Sequence, residues 1–242
     1  MKGETPYTIA WDAENGCIVY IDQTLLPGRY EVARCRTVDE LAGAIRRLAI
    51  RGAPALGIAG AMGVALAAVR SGERDPVRFR RDLHRAAEIL RSTRPTAVNL
   101  GWGIDRVLGA ADAAGSVEAA KEAAVREASA VAGEDEVTCR RIGAFGAELL
   151  PERCTVLTHC NAGALACRCW GTALGVVRSA VEAGKDVRGI ARGTPPPDQG
   201  LRLTCWGLAP GGGDVTPLTH SAAAHLLREG GGDARIVGAD RS

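Results

Sequence analysis

The chain has 242 residues, 46% hydrophobic and 24% charged, enough apolar material to fold around its own core without disulfide staples. Its 30 Lys and Arg against 28 Asp and Glu leave a formal charge of +2, with the basic residues scattered. Scattered cation excludes nucleic acid as the main partner, because phosphate-backbone affinity needs clustered charge; a small anion needs only two or three local cations. No apolar run free of breakers reaches the roughly 18 to 20 residues of a membrane span, and the start MKGETPYT lacks an apolar signal core. No membrane association is therefore expected, and the cytoplasm is the default compartment.

Residues 1–36 alternate short β-type runs, TIAW and CIVYID, with turn formers at Glu14-Asn15-Gly16 and Pro27-Gly28, which predicts a small antiparallel sheet. Thr37-Val38-Asp39-Glu40 has the reciprocal capping pattern that opens a helix, continued by Leu41, Ala44, Ile45 and Leu48. A helix over Ala55–Val69 carries Gly57, Gly60 and Gly63 at three-residue spacing and should admit a second backbone closely. Asp75-Pro76 caps the next helix, which Arg91–Pro95 ends. Three more helices are expected up to Leu150, with turns near Gly115 and Gly133.

From Pro151 the pattern becomes strand and helix in turn: strand Thr155–Thr158, helix Gly171–Ala183, strand Val187–Ala191, helix Gln199–Leu208, strand Val215–Leu218, helix Ser221–Arg228 and strand Ala234–Gly238. Such alternation marks a parallel doubly wound sheet. The fold class is thus α/β, with a small sheet plus helical domain over 1–150 and a Rossmann-like domain over 151–242. Because that sheet finishes on a strand at the end of the chain, the second domain reads as incomplete.

Ligands of open parallel sheets bind beyond the carboxyl ends of the strands, near the reversal of strand order. Cys160 closes the first strand of this sheet, before a Gly-containing turn whose amides favour a thiolate or a phosphate, and Asp240 closes the last. If those strands are neighbours, thiol and carboxylate converge as an acid/base pair. A buried structural cysteine and a helix-capping aspartate are the plainer readings of the same residues. Arg51 and Arg94 sit in loops between helices and could clamp a phosphate, although each could equally be a solvated loop arginine. Gln199 could bond sugar hydroxyls or merely pair with a cap. The eight cysteines form no CxxC pair, and His159, Cys160, Cys167 and Cys169 lack the spacing of structural zinc.

Five segments taken together, Ile50–Ile58 (IRGAPALGI), Ser92–Leu100 (STRPTAVNL), Thr158–Gly163 (THCNAG), Gly171–Gly175 (GTALG) and Val237–Arg241 (VGADR), resemble the ordered signature of the methylthioribose-1-phosphate isomerases. Their superfamily also holds ribose-1,5-bisphosphate isomerases and regulatory subunits of the translation-initiation exchange factor. The resemblance implies a homodimer acting on a small phosphorylated sugar, with Cys160 and Asp240 as the catalytic pair. It implies substrate contacts from Arg51, Gly52, Ala53, Arg94 and Gln199, and neither a metal nor an organic cofactor. A ribose-1,5-bisphosphate isomerase or a non-catalytic regulatory homologue is the alternative. The chain departs from the pattern at Arg168-Cys169-Trp170-Gly171, where the family has Gly-Gly-Tyr-Gly, at Gly193-Thr194-Pro195-Pro196 and at Trp206-Gly207. The first departure is expected to place bulky and charged groups near the site.

Overall fold

A computed structural model describes residues 7–193, 200–205, 207 and 214–238. They form two compact units, one of Tyr7–Leu25 and Tyr30–Asp135, the other of Leu26–Arg29 and the residues from Glu136 onward.

In the first unit, β1 (Ile9–Asp12), β2 (Cys17–Ile21) and β3 (Val32–Cys35) make an antiparallel sheet in that order. Its first turn is built by Asp12, which accepts from the Asn15 backbone N–H and Nδ2 at 3.1 and 2.8 Å, and by Gly16, whose φ of +55° suits glycine. Helix α1 (Val38–Arg46) opens on the expected capping box of Thr37 and Glu40. Helix α3 (Pro76–Arg91) is capped by Asp75, which accepts from the Arg78 N–H at 2.8 Å.

Helix α2 (Ala53–Arg70) is the centre of this unit, with Leu56, Ile58, Met62, Val64 and Leu66 buried among Leu41, Ile45, Phe79, Leu90 and Ile104. Its glycines do what their spacing suggested. A methyl group built on Gly60 would meet the Leu100 carbonyl oxygen of α4 (Val98–Asp112) at 2.5 Å, and one on Gly103 would meet the Gly57 oxygen at 2.0 Å. The premise that no apolar run reaches the length of a membrane span needs correction, because α2 is 18 residues long with a mean hydropathy of 1.5, long and apolar enough by those measures alone. Pro54 at its first turn is no breaker, and 72% of the helix is buried inside the fold.

A second correction follows α4. In place of two helices parted at Gly133 there is one, α5 (Val117–Glu148), of 32 residues. One glycine costs a helix only about 1 kcal/mol, which its alanine-rich flanks absorb.

The second unit carries β4 (Arg153–His159), α6 (Ala173–Glu182), β5 (Asp186–Gly193), β6 (Asp214–Thr219), α7 (Ala223–Arg228) and β7 (Ala234–Arg235). The strands are parallel in the order β6-β5-β4-β7, giving the Rossmann-like sheet expected. Strand β7 pairs only at Val156↔Ala234 and Leu157↔Arg235, shorter than the run Ala234–Gly238 suggested. The helix expected over Gln199–Leu208 is, in its described part, a π-helical turn at Gly200–Cys205. Pro217 lies in β6, opposite Ala191 of β5, a place open to a residue without an N–H because β6 is the edge of the sheet among the described residues. The last turns of α5 lie on α6, where Gly143 and Gly146 leave room for Ser179 and Val176.

Candidate active site

Strand order dictates where this unit can hold a ligand. The chain runs from β4 outward to β5 and β6 and then returns to the other flank of β4 as β7, so order reverses between β4 and β7. Cys160 is the first residue past β4 on the carboxyl edge of that reversal. The two strands taken to carry the reactive residues are indeed neighbours.

Cys160 has φ +57°, the left-handed region that non-glycine residues enter at a cost of about 1–2 kcal/mol. Its surroundings hold it there. The Cys160 N–H donates to the Arg192 carbonyl at 3.2 Å, continuing the β4–β5 ladder one step, while its own carbonyl accepts from the Thr204 hydroxyl at 2.6 Å. Asn161 Nδ2 donates to the same hydroxyl oxygen at 3.1 Å, and Asn161 and Thr204 are both buried. Two residues earlier Thr158, also buried, has a hydroxyl with no hydrogen-bond partner among the described residues.

The connection from Cys160 to the helix expected from Gly171 has structure of its own. A 3₁₀ turn at Ala164–Ala166 and an antiparallel bridge between Gly163 and Gly171 come before α6 begins at Ala173. A methyl group on Gly171 (φ +94°) would meet the Gly163 backbone at 2.7 Å, which explains glycine there. Two amides at the start of α6, those of Thr172 and Leu174, are taken by the Ala162 carbonyl at 3.0 and 3.2 Å. Past β7, a methyl group on Gly238 would come within 2.9 Å of Ala162 Cβ and 3.1 Å of Thr172 Oγ1, so Gly238 lies against the cysteine turn. Asp240 and Gln199 lie outside the described residues.

The other sequence candidates belong to the first unit. Arg51 and Gly52 form the loop into α2, with Gly52 at φ +96°, and Ala53 is the first helical residue. Arg94, half-buried, sits in the turn into α4, its N–H bonded to the Arg91 carbonyl at 3.3 Å. Because Gly57 packs against the Asn99 oxygen and Trp102, the first turns of α2 and α4 lie side by side.

The bulky departure at 168–170 is absorbed by packing onto α5 and α6. Trp170 is buried, donates from Nε1 to Ser179 Oγ at 3.2 Å and carries the Arg140 guanidinium 3.7 Å above its ring. Arg168 pairs with Glu136 at 3.3 Å. Arg178 donates to the carbonyls of Cys169 (3.2 Å), Trp170 (3.1 Å) and Gly207 (2.7 Å), and burial lowers its pKa. Burial, aided by Glu136, pushes the Cys169 thiol up to about 11. The group His159, Cys160, Cys167 and Cys169 does not gather as metal ligands among the described residues; Cys167 instead lies with its sulfur within 4.8 Å of that of Cys139 on α5.

Sequence reasoning missed Thr204. It is 44 residues from Cys160 in the chain, in a stretch with no motif of its own, and only the π-helical turn brings it there.

The profile of the Initiation factor 2 subunit family matches residues 49–241. A solved structure named translation initiation factor eIF-2B, subunit delta, from A. fulgidus is 53% identical with a TM-score of 0.87, over 98% of this chain and 68% of that one. The 5-methylthioribose 1-phosphate isomerase of Pyrococcus horikoshii OT3 is 38% identical with a TM-score of 0.89, over 98% of this chain and 66% of that one. A 5-deoxyribose 1-phosphate isomerase of Moorella thermoacetica is 48% identical over 96% of this chain and 66% of its own length.

Proposed function

Because the chain belongs to the Initiation factor 2 subunit family, with a 5-methylthioribose 1-phosphate isomerase among its structural relatives, we propose that it is an aldose–ketose isomerase converting 5-methylthioribose 1-phosphate to 5-methylthioribulose 1-phosphate. The observation that carries this reading is the parallel pairing of β4 with β7. It supports the reading by setting β7 beside the strand that ends at the Cys160 turn, with Gly238 against Ala162.

A sugar phosphorylated at its anomeric carbon must open its ring without losing phosphate. The ring oxygen takes a proton as its bond to C1 breaks; a proton then leaves C2, another arrives at C1 and the C2 hydroxyl gives up its own, so that C2 becomes the ketone and the proton count is unchanged. In this reading Asp240 serves the oxygens and Cys160 the carbon, a division of acid and base work suited to a carboxyl and a thiol. Arg51, Gly52, Ala53, Arg94 and Gln199 contact the substrate, the arginines holding its phosphate. The protein acts in the cytoplasm as a homodimer. Support for a second copy comes from the end of α5, where Val137 and Phe145, eight residues apart, and Leu149 just past the helix stay largely exposed.

A coupled assay of the purified protein with 5-methylthioribose 1-phosphate, beside Cys160→Ala and Asp240→Asn variants matched by circular dichroism, is the test. Turnover that both substitutions reduce by about 10²-fold or more is expected. A folded wild-type protein without turnover would overturn the proposal. The Moorella relative favours a second reading in which C5 bears hydrogen in place of the methylthio group. Parallel kcat/KM values for the two sugar phosphates separate them.

A further inference from the structure

We propose that Thr204 is a positioning residue for the isomerisation, its hydroxyl fixing the left-handed backbone of Cys160 and hence the placement of the thiol. This rests on the reading of Cys160 as a catalytic residue.

Three observations carry it. Cys160 is one of two non-glycine residues with positive φ among those described, the other being Leu48 of the first unit. A conformation this disfavoured persists only where neighbours over-determine it. The Thr204 hydroxyl, fully buried, donates to the Cys160 carbonyl at 2.6 Å, across 44 residues of chain. That hydroxyl has its direction fixed in turn, because it accepts from Asn161 Nδ2 at 3.1 Å and so must spend its single proton on Cys160. Cys160 is therefore held on both sides, the peptide before it by the Arg192 carbonyl on the β5 flank and the peptide after it by Thr204 from the π-helical turn.

The chemistry makes the position of that peptide matter. Proton transfer at carbon demands a near-attack geometry, and an ångström of misplacement costs on the order of 10²-fold in rate. Thr204 touches neither substrate nor thiol in this account; it acts through the Cys160 backbone. Its loss should lower kcat and leave KM nearly unchanged.

The test compares Thr204→Val, which keeps the shape and removes the hydroxyl, with Thr204→Ser, which keeps the hydroxyl. Two readouts are taken: kcat and KM in the coupled assay, and the rate at which iodoacetamide alkylates Cys160, followed on its own peptide by mass spectrometry. Expected for Thr204→Val are a kcat lower by about 30- to 100-fold, a KM within about twofold and an altered Cys160 alkylation rate. Thr204→Ser should restore both readouts to within about threefold. Should Thr204→Val not fold, Asn161→Ala, which frees the hydroxyl to turn away, is expected to move both readouts in the same direction by a smaller factor. Wild-type-like kcat and alkylation in a folded Thr204→Val, or equal impairment of the Val and Ser variants, would overturn the proposal. If the wild-type protein turned over no sugar phosphate, the isomerase reading would fall by itself, and the alkylation arm would still decide whether Thr204 positions Cys160.

Discussion

At the scale of single residues, Cys160 combines a reactive side chain with a backbone that glycine would adopt more cheaply. Replacing it by glycine removes the strain, whereas alanine removes the thiol and keeps it. Cys160→Gly is therefore expected to be more stable than Cys160→Ala by about 1 kcal/mol, while both abolish turnover; denaturant unfolding of the pair measures the difference. The opposite balance, with alanine the more stable, would mean that the surroundings do not strain the site. Arg178 illustrates a residue whose meaning is structural. It answers three backbone carbonyls from a buried position, so Arg178→Ala should cost about 2–3 kcal/mol and lower the melting temperature.

At the scale of elements, the contact of α2 with α4 has no room for a side chain. Gly103→Ala would set a carbon 2.0 Å from the Gly57 carbonyl oxygen, backbone against backbone, where no rotamer change can help. A loss of about 3 kcal/mol is expected, read as a fall of several degrees in melting temperature. The glycine spacing on α2 foretold a close approach, and the caps at Thr37 and Asp75 foretold where helices begin, because both signals are local. What stayed hidden was non-local or energetically weak. Gly133 looked like a turn, but one glycine cannot break a long alanine-rich helix. The helix after Cys160 was legible from Gly171 onward, yet the 3₁₀ turn and the Gly163–Gly171 bridge that lie before it carry no local signal. The adjacency of β4 and β7 could be posed from sequence only as a condition, and Thr204 not at all, since tertiary packing alone joins it to Cys160.

For the molecule as a whole, titration sets the limits of stability. The buried thiols of Cys35 and Cys169 are both pushed up to about 11 from an ordinary value of 9.0, Cys35 by burial and by Glu40, Cys169 by burial and by Glu136. A raised pKa means that the fold favours the protonated thiol, so this contribution is complete below pH 9 and is lost as pH rises towards 11. On the acid side, burial pushes the Asp22 carboxyl up, but hydrogen bonds from Thr24 and Arg47 outweigh it and hold the group below the usual carboxylate range. Glu134 is held low by the Arg106 guanidinium. Stability from those two is present above about pH 4 and lost as pH falls through their lowered values. Urea unfolding between pH 3 and 11 should show a plateau with both shoulders, and Cys35→Ala should flatten the alkaline one.

Pro217 matters most when the protein is concentrated. Among the described residues β6 is an edge strand, and such an edge is a row of backbone groups on which a foreign strand could template itself, the route by which β-rich proteins form fibres. An imino acid in the middle of Asp214–Thr219 interrupts that row, so the stretch works as a gatekeeper. Pro217→Val, which turns the strand into an uninterrupted β-forming run, is expected to scatter light at lower concentration than the parent while retaining its secondary structure.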